Sequence, residues 1–231
     1  VSKPYYQDEY ATIYHGDCRE ILSRLEPVDL VTVSDPPYGV NLGQHGAAKE
    51  KRPQYLAKQG YKSYDDTTEN FRAVVVPAIE WCVKNTKRAA VFMAGSSMWD
   101  LPRADAIGGV FLPAGCGSNA WGFAAFAHCL FYGAAPNLHL GRKPTGISST
   151  DTARHINHPC PKPLSWMKWA ICLAAEKSDV VLDPFMGSGT TLVAAKDLGI
   201  KSIGIEIEEK YCEIAAKRLR QEVLWSAMAS V

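Results

Sequence analysis

Short unbroken apolar blocks alternate along this chain with stretches in which apolar residues recur every three or four positions. The blocks lie at Ala11–Tyr14, Asp29–Val33, Ala89–Met93, Val180–Leu182 and Ser202–Ile205. Runs that do not alternate apolar with polar predict strands covered on both faces, the habit of parallel sheets. The periodic stretches predict helices at Cys18–Leu25, Phe71–Lys84, Leu164–Glu176, Thr190–Leu198 and Lys210–Trp225. Phe71–Lys84 gathers Val74, Val75, Ala78, Ile79 and Cys82 on one face, with Pro77 predicting a kink or a later start. Leu164–Glu176 does the same with Trp166, Trp169, Ala170 and Leu173. Trp121–Tyr132 reads as a further strand-like apolar stretch, and no internal repeat is present. Strand and helix in alternation predict an α/β fold, a doubly wound, mostly parallel sheet with helices on both faces.

Two blocks end in sequences that carry chemistry. Asp29–Val33 passes through Ser34 into Asp35-Pro36-Pro37-Tyr38. Asp and Pro favour turns, so a plain turn is one reading of this tetrad. The other is a rigid carboxylate, outward carbonyls and one aromatic face, a set suited to a planar amino base. Val180–Leu182 leads into Asp183-Pro184-Phe185-Met186-Gly187-Ser188-Gly189-Thr190-Thr191. This predicts a strand end, a glycine turn and a helix start, where backbone can approach a cofactor closely. Leu192 stands where a dinucleotide fingerprint requires a small residue, and the Lys-Ser/Thr pair of a phosphate-binding loop is missing. Glu206, ending the next strand, is either a solvated acid or an acceptor for two ribose hydroxyls. Asp17 precedes a helix and reads as its N-cap. Ligands of open α/β sheets bind at the carboxyl ends of the strands, so Asp35 and Gly187 are expected at the ends of neighbouring strands.

At 231 residues and 47% hydrophobic content the chain suffices for one α/β domain with a modest insertion. Seven cysteines form no CxxC pair, and an odd number fits reduced thiols in a cytoplasmic protein. No apolar run is long enough for a membrane span. Net charge is +1, but residues 36–170 hold 15 basic and 8 acidic side chains between acidic flanks. A basic middle fits a polyanion partner, or ordinary solubility. Within it, 39–68 reads as a mobile basic loop carrying Lys49, Lys51, Arg52, Lys58 and Lys62, expected to order over DNA. Residues 101–155 read as a small insert with Asn137, Arg142, Lys143, Arg154 and His155 as candidate DNA contacts, Arg and Asn being the types that pair bidentately with guanine and adenine edges.

The two strand-end motifs, with His158-Pro159-Cys160-Pro161-Lys162-Pro163, resemble those of S-adenosylmethionine (SAM)-dependent amino DNA methyltransferases of class β. The similarity covers nearly the whole chain, and the order of tetrad, recognition segment and cofactor motif matches the compact members. The resemblance implies a Rossmann-like, circularly permuted methyltransferase fold with an antiparallel hairpin. It implies SAM as cofactor, double-stranded DNA as partner, and base flipping to reach the target. It also implies Asp35, Pro36, Pro37 and Tyr38 as the catalytic set. The implied cofactor set is Asp17, Cys18, His158, Lys162, Pro163, Asp183, Pro184, Phe185, Gly187, Ser188, Gly189, Thr190, Thr191 and Glu206. In this family His158 to Pro163 would help hold the methionine moiety, and Asp17 would contact the adenine amino group.

Exocyclic amino groups are weak nucleophiles because the nitrogen lone pair is delocalised into the ring. Asp35 and the Pro36 carbonyl would accept the two N–H bonds and aim the lone pair at the methyl group, without metal or covalent intermediate. Asp at the reacting position points to adenine N6. Cytosine N4 is the alternative, followed by RNA or protein glutamine, whose enzymes usually carry Asn there, and by an inactive SAM- and DNA-binding module.

Overall fold

The computed structural model describes residues 3–40, 65–115, 117–136, 141–151 and 162–228. The expected contacts Lys49, Lys51, Arg52, Lys58, Lys62, Asn137, Arg154, His155 and His158 lie outside the described residues. Among the described residues eleven strands occur in chain order: β1 (Tyr6–Gln7), β2 (Ala11–His15), β3 (Leu30–Ser34), β4 (Ala89–Met93), β5 (Ala106–Phe111), β6 (Gly117–Asn119), β7 (Gly122–Ala124), β8 (Phe126–Tyr132), β9 (Gly146–Ser148), β10 (Val180–Asp183) and β11 (Lys201–Glu206). All but β6 and β7 join one nine-stranded sheet of order β1-β2-β11-β10-β3-β4-β8-β5-β9. The stretch from β2 to β4 is wholly parallel. β8 then pairs antiparallel with both β4 and β5, which is the hairpin.

The buried strands follow from their composition. Each of β3 and β4 is buried throughout, and alternate side chains serve opposite faces. Val31, Val33, Ala90 and Phe92 meet Trp166, Met167, Ala170 and Ile171 of the Leu164–Ala174 helix. The Thr190–Asp197 and Glu209–Met228 helices cover the same face farther along, through Leu192, Val193, Cys212 and Ala215 against Ala11 and Ile13. On the other face Leu30 and Leu182 pack with Cys18, Ile21, Ala78 and Cys82, and Val91 and Met93 with Phe71, Val75 and Ile79. These are the two helical layers of a doubly wound fold. Burying one such large side chain contributes about 1.5–3 kcal/mol.

Connectivity locates the site. From β10 the chain steps to β11 on one side, whereas β3 is followed by β4 on the other. The order therefore reverses between β10 and β3, and a crevice opens at their carboxyl ends. At the opposite edge an ionic clamp ties the starts of these strands together. The buried Asp179 carboxylate accepts from Lys87 Nζ at 2.9 Å and Arg88 Nη2 at 3.1 Å, and Lys87 also pairs with Asp29.

Two elements differ from expectation. The predicted Phe71–Lys84 helix is a π-helical turn, Phe71–Val75, followed by an α-helix, Val76–Asn85. Pro77 is responsible, because it has no N–H to give the carbonyl four residues back. That carbonyl, Ala73, takes a bond from Arg19 Nη1 at 3.4 Å instead. The predicted Trp121–Tyr132 strand is divided: β7 belongs to a separate two-stranded ribbon with β6, and only β8 joins the sheet. Among the described residues no helix is long and apolar enough to cross a membrane.

Candidate active site at the reversal of strand order

The Asp35 and Asp183 motifs leave the same end of neighbouring strands because β3 and β10 are paired in parallel register, Leu30 beside Val180 and Thr32 beside Leu182. A buried bond joins the two motifs directly, Ser34 Oγ donating to Asp183 Oδ1 at 2.7 Å. Tyr38 and Phe185, the aromatics of the two motifs, pack on the same apolar cluster around Phe71 and Met93.

The Asp35 carboxylate is partly buried and carries two donors. Tyr38 OH donates to Oδ1 at 2.5 Å, and Lys162 Nζ lies 2.8 Å from both oxygens. The same ammonium sits 5.0 Å from the centre of the Tyr38 ring. Lys162, expected on the cofactor side, thus belongs with the tetrad in this structure. Pro163 is buried behind it at the start of the Leu164–Ala174 helix. Pro36 is buried, and the Tyr38 carbonyl accepts from Ser97 Oγ at 2.5 Å, so the tetrad is held from both ends.

The glycine motif divides its labour between side chain and backbone. Asp183 is 2% exposed, and its oxygens accept from Ser34, from Thr191 Oγ1 at 2.5 Å and from Phe185 N at 3.1 Å. Burial pushes its carboxyl up to about 6, against these three bonds, with Asp35 adding to the rise. Pro184, Ser188, Thr190 and Thr191 are likewise buried. Arg218 Nη1 donates to the Ser188 carbonyl at 2.6 Å and to Thr190 Oγ1 at 3.2 Å. The side chains of Asp183, Ser188, Thr190 and Thr191, residues expected on the cofactor side, thus brace the turn. Gly189 has φ 78, and a Cβ there would lie 2.7 Å from Ala215 Cβ, so no other residue fits. Leu192 is accommodated by Gly204, where a Cβ would fall 2.9 Å from both Leu192 methyls.

Glu206, at the end of β11, is tied to the glycine turn. Its Oε2 accepts from Gly187 N at 3.0 Å and its Oε1 from Glu208 N at 2.8 Å. Burial pushes this carboxyl up to about 7, partly offset by those two N–H donors. Each oxygen keeps a second acceptor site. A nucleoside ribose fits this arrangement, a strand-end carboxylate with acceptor capacity to spare beside a tight glycine turn. Asp17 lies close by, because Gly16 N donates to the Glu206 carbonyl at 2.9 Å. Its carboxylate caps the Cys18–Leu22 helix by accepting from Arg19 N at 2.9 Å, and it also pairs with the Arg19 guanidinium. The N-cap reading of Asp17 is therefore correct whether or not a ligand also reaches it.

Cys18 has a buried side chain, 6% exposed and packed with Ile21, Leu22 and Leu30, and burial pushes its thiol up to about 12. Two expected DNA contacts stand away from the crevice. Lys143 Nζ donates to the Cys172 carbonyl at 2.9 Å, near the end of a helix that begins beside Asp35 and runs away from it. Arg142 and Lys143 precede β9, which is parallel to β5, and so occupy the amino-terminal edge, opposite the crevice. Sequence reasoning missed Ser34, Ser97 and Arg218. Only Ser34 left a trace, as a lone hydroxyl ending an apolar strand.

A family model of DNA methylases, specific for N6 and N4 amino groups, matches residues 97–217. The chain belongs to the N6/N4 DNA methylase family. Among curated relatives, the type II methyltransferase M.HinfI of Haemophilus influenzae is 50% identical over 64 residues, 28% of this chain and 18% of that protein. M2.DpnII of Streptococcus pneumoniae is 48% identical over 65 residues, again 28% of this chain and 24% of the relative. These local matches span a quarter of the relatives' length or less. M.ScaI of Streptomyces caespitosus is 24% identical across 96% of this chain and 85% of its own. Solved structures share the fold. The M1.HpyAVI–SAM complex has a TM-score of 0.60 at 22% identity, covering 90% of this chain and 99% of that one. The cytosine-N4-specific PvuII DNA methyltransferase has a TM-score of 0.65 at 17% identity, covering 94% and 88%.

Proposed function

We propose that this N6/N4 methylase family member transfers the methyl group of SAM to the exocyclic amino group of a base in double-stranded DNA, adenine N6 ahead of cytosine N4. The observation that carries the reading is the Ser34–Asp183 bond of 2.7 Å, which puts the Asp35 tetrad and the glycine turn in one crevice. The relatives are named as DNA methyltransferases, and YhdJ of Escherichia coli, 44% identical over 63 residues, as a DNA adenine methyltransferase.

SAM, when bound, supplies a methyl group on a positively charged sulfur. The chain's own residues do the rest. Gly187 to Gly189 and Glu206 hold the nucleoside end, with Asp17 beside it. Asp35 would accept a hydrogen bond from one amino N–H and the Pro36 carbonyl from the other, turning the nitrogen lone pair toward the glycine turn. As the N–C bond forms the methyl–sulfur bond breaks to leave a neutral thioether, and the surplus amino proton leaves along the Asp35 hydrogen bond. Tyr38 stacks on the base. The amino group replaces a donor that Asp35 already has, Tyr38 OH or Lys162, so the carboxylate exchanges one hydrogen bond for another. Preorganised acceptors of this kind contribute about 10²–10³ in rate each.

Sequencing the DNA of cells that express the chain, by a method that reads modified bases, tests the proposal. N6-methyladenine in one sequence context is expected, absent with Asp35→Ala. N4-methylcytosine would keep the reaction and change the base, and unmodified DNA would overturn the reading.

Glu206 gives a second test, because binding and stability respond to pH with opposite sign. Its folded pKa of about 7 lies above the ordinary 4.5. Its contribution to folding is therefore greatest below pH 4.5 and is lost as pH rises through 7. Ribose hydroxyls donate to the ionised form, so SAM affinity should grow about tenfold between pH 6 and pH 8, the ratio of ionised fractions. Glu206→Gln should flatten the affinity profile and part of the stability profile, Asp183 supplying the remainder. Calorimetric SAM titrations and urea unfolding at the two pH values measure both. A parent affinity that does not change with pH would remove Glu206 from the ribose site.

A further inference from the structure

We infer that the β6–β7 ribbon is a wedge: Trp121 at its turn, with Phe123 beside it, enters the DNA base stack and fills the space left by the extruded nucleotide. This rests on the DNA reading above. Trp121 is 98% exposed and Phe123 87% exposed. A soluble domain seldom presents two large rings so openly on one small element without a use for them.

Placement decides the partner. β8 runs antiparallel to β4 and β5, with Met93 beside His128 and Phe111 beside Phe126. The connection from Phe111 to Phe126, which includes the ribbon, therefore leaves the sheet at the carboxyl edge, the edge that carries Asp35, Asp183 and Glu206. β8 and β5 are the second and third strands from β3, about 10–14 Å away at the usual strand spacing. A duplex presenting one base to Asp35 must pass along this edge. No Asp, Glu, Lys or Arg occurs from Phe111 to Ala127, so the segment carries no side-chain charge to pair with phosphates or repel them. Its chemistry suits base faces. Extruding a nucleotide exposes two such faces, and an aromatic ring inserted between them restores the stacking lost.

The test uses the full chain and a short duplex holding the site found by the sequencing above. A second duplex has an abasic position opposite the target base, so that extrusion costs little. The double variant Trp121→Ala, Phe123→Ala should transfer methyl about 30-fold more slowly than the parent on the paired duplex, and within about threefold of it on the abasic one. Trp121→Phe should recover most of the loss. SAM affinity and the salt dependence of DNA binding should be unchanged, since neither the pocket nor a phosphate contact is touched. With 2-aminopurine as the target base, the parent should raise its fluorescence and the double variant should not. Parent-like rates on the paired duplex would overturn the wedge. So would equal loss on both duplexes, which would make the ribbon a plain contact. So would loss of parent self-association in the variant, which would make it an interface between copies. If the parent itself modifies neither duplex, the methyltransferase reading falls and the wedge with it.

Discussion

Asp35→Ala is expected to lower methyl transfer by about 10³-fold while SAM affinity stays within about twofold. The carboxylate is the proposed acceptor for one amino N–H of the target, and none of its hydrogen bonds reaches the glycine turn; its partners are Tyr38 and Lys162. The variant also leaves the Lys162 ammonium, with a side chain 17% exposed, without its carboxylate. Some loss of stability is therefore expected, and the comparison needs Asp35→Asn beside it. Asparagine keeps one carbonyl acceptor and the shape of the tetrad, so it should retain more activity than alanine at similar SAM affinity. Rates measured with radiolabelled SAM, and affinities by calorimetry, separate the two quantities. Loss of SAM binding in a folded Asp35→Ala protein would place Asp35 in the cofactor half and undo the mechanism.

The sheet core was legible because β3, β4 and β10 are apolar on both sides, a pattern produced only by a strand with a helical layer over each face. The adjacency of the two motifs followed from the same reasoning, since ligand crevices of open sheets form where strand order reverses. What sequence could not reveal was which edge of the sheet a loop occupies. Arg142 and Lys143 have the right chemistry for DNA, but β9 runs parallel to β5 and carries them to the wrong end. Trp121 and Phe123 looked like part of one strand with Phe126–Tyr132, because apolar composition alone does not distinguish a sheet residue from one on a projecting ribbon. The π-turn before Pro77 depends on where a missing N–H falls relative to the Ala73 carbonyl and Arg19, a contact across 54 residues. The direction of the Asp183 side chain was illegible for a similar reason. The motif gives its identity, whereas its direction is set by Ser34 and Thr191, one of them on another strand.

That inward carboxylate leads to the second large effect. Asp183→Ala removes the common acceptor of Ser34 Oγ, Thr191 Oγ1 and Phe185 N in a site that is 2% exposed. A buried donor left without a partner costs about 1–3 kcal/mol, and relaxation of the turn will recover part of that, so a net loss of about 3 kcal/mol of folding stability is expected. The glycine turn should loosen with it, and SAM affinity should fall by tenfold or more. Ser34→Ala is the informative partner. It deletes the bond between the motifs but leaves Asp183 with two donors, so its own cost should be near 1 kcal/mol. In the double variant the two losses should fall short of additive by about 1 kcal/mol, the signature of a shared bond. Urea unfolding of the four proteins completes the cycle. Strict additivity would mean that Ser34 and Asp183 act independently, and that the two halves of the site are aligned by strand pairing alone.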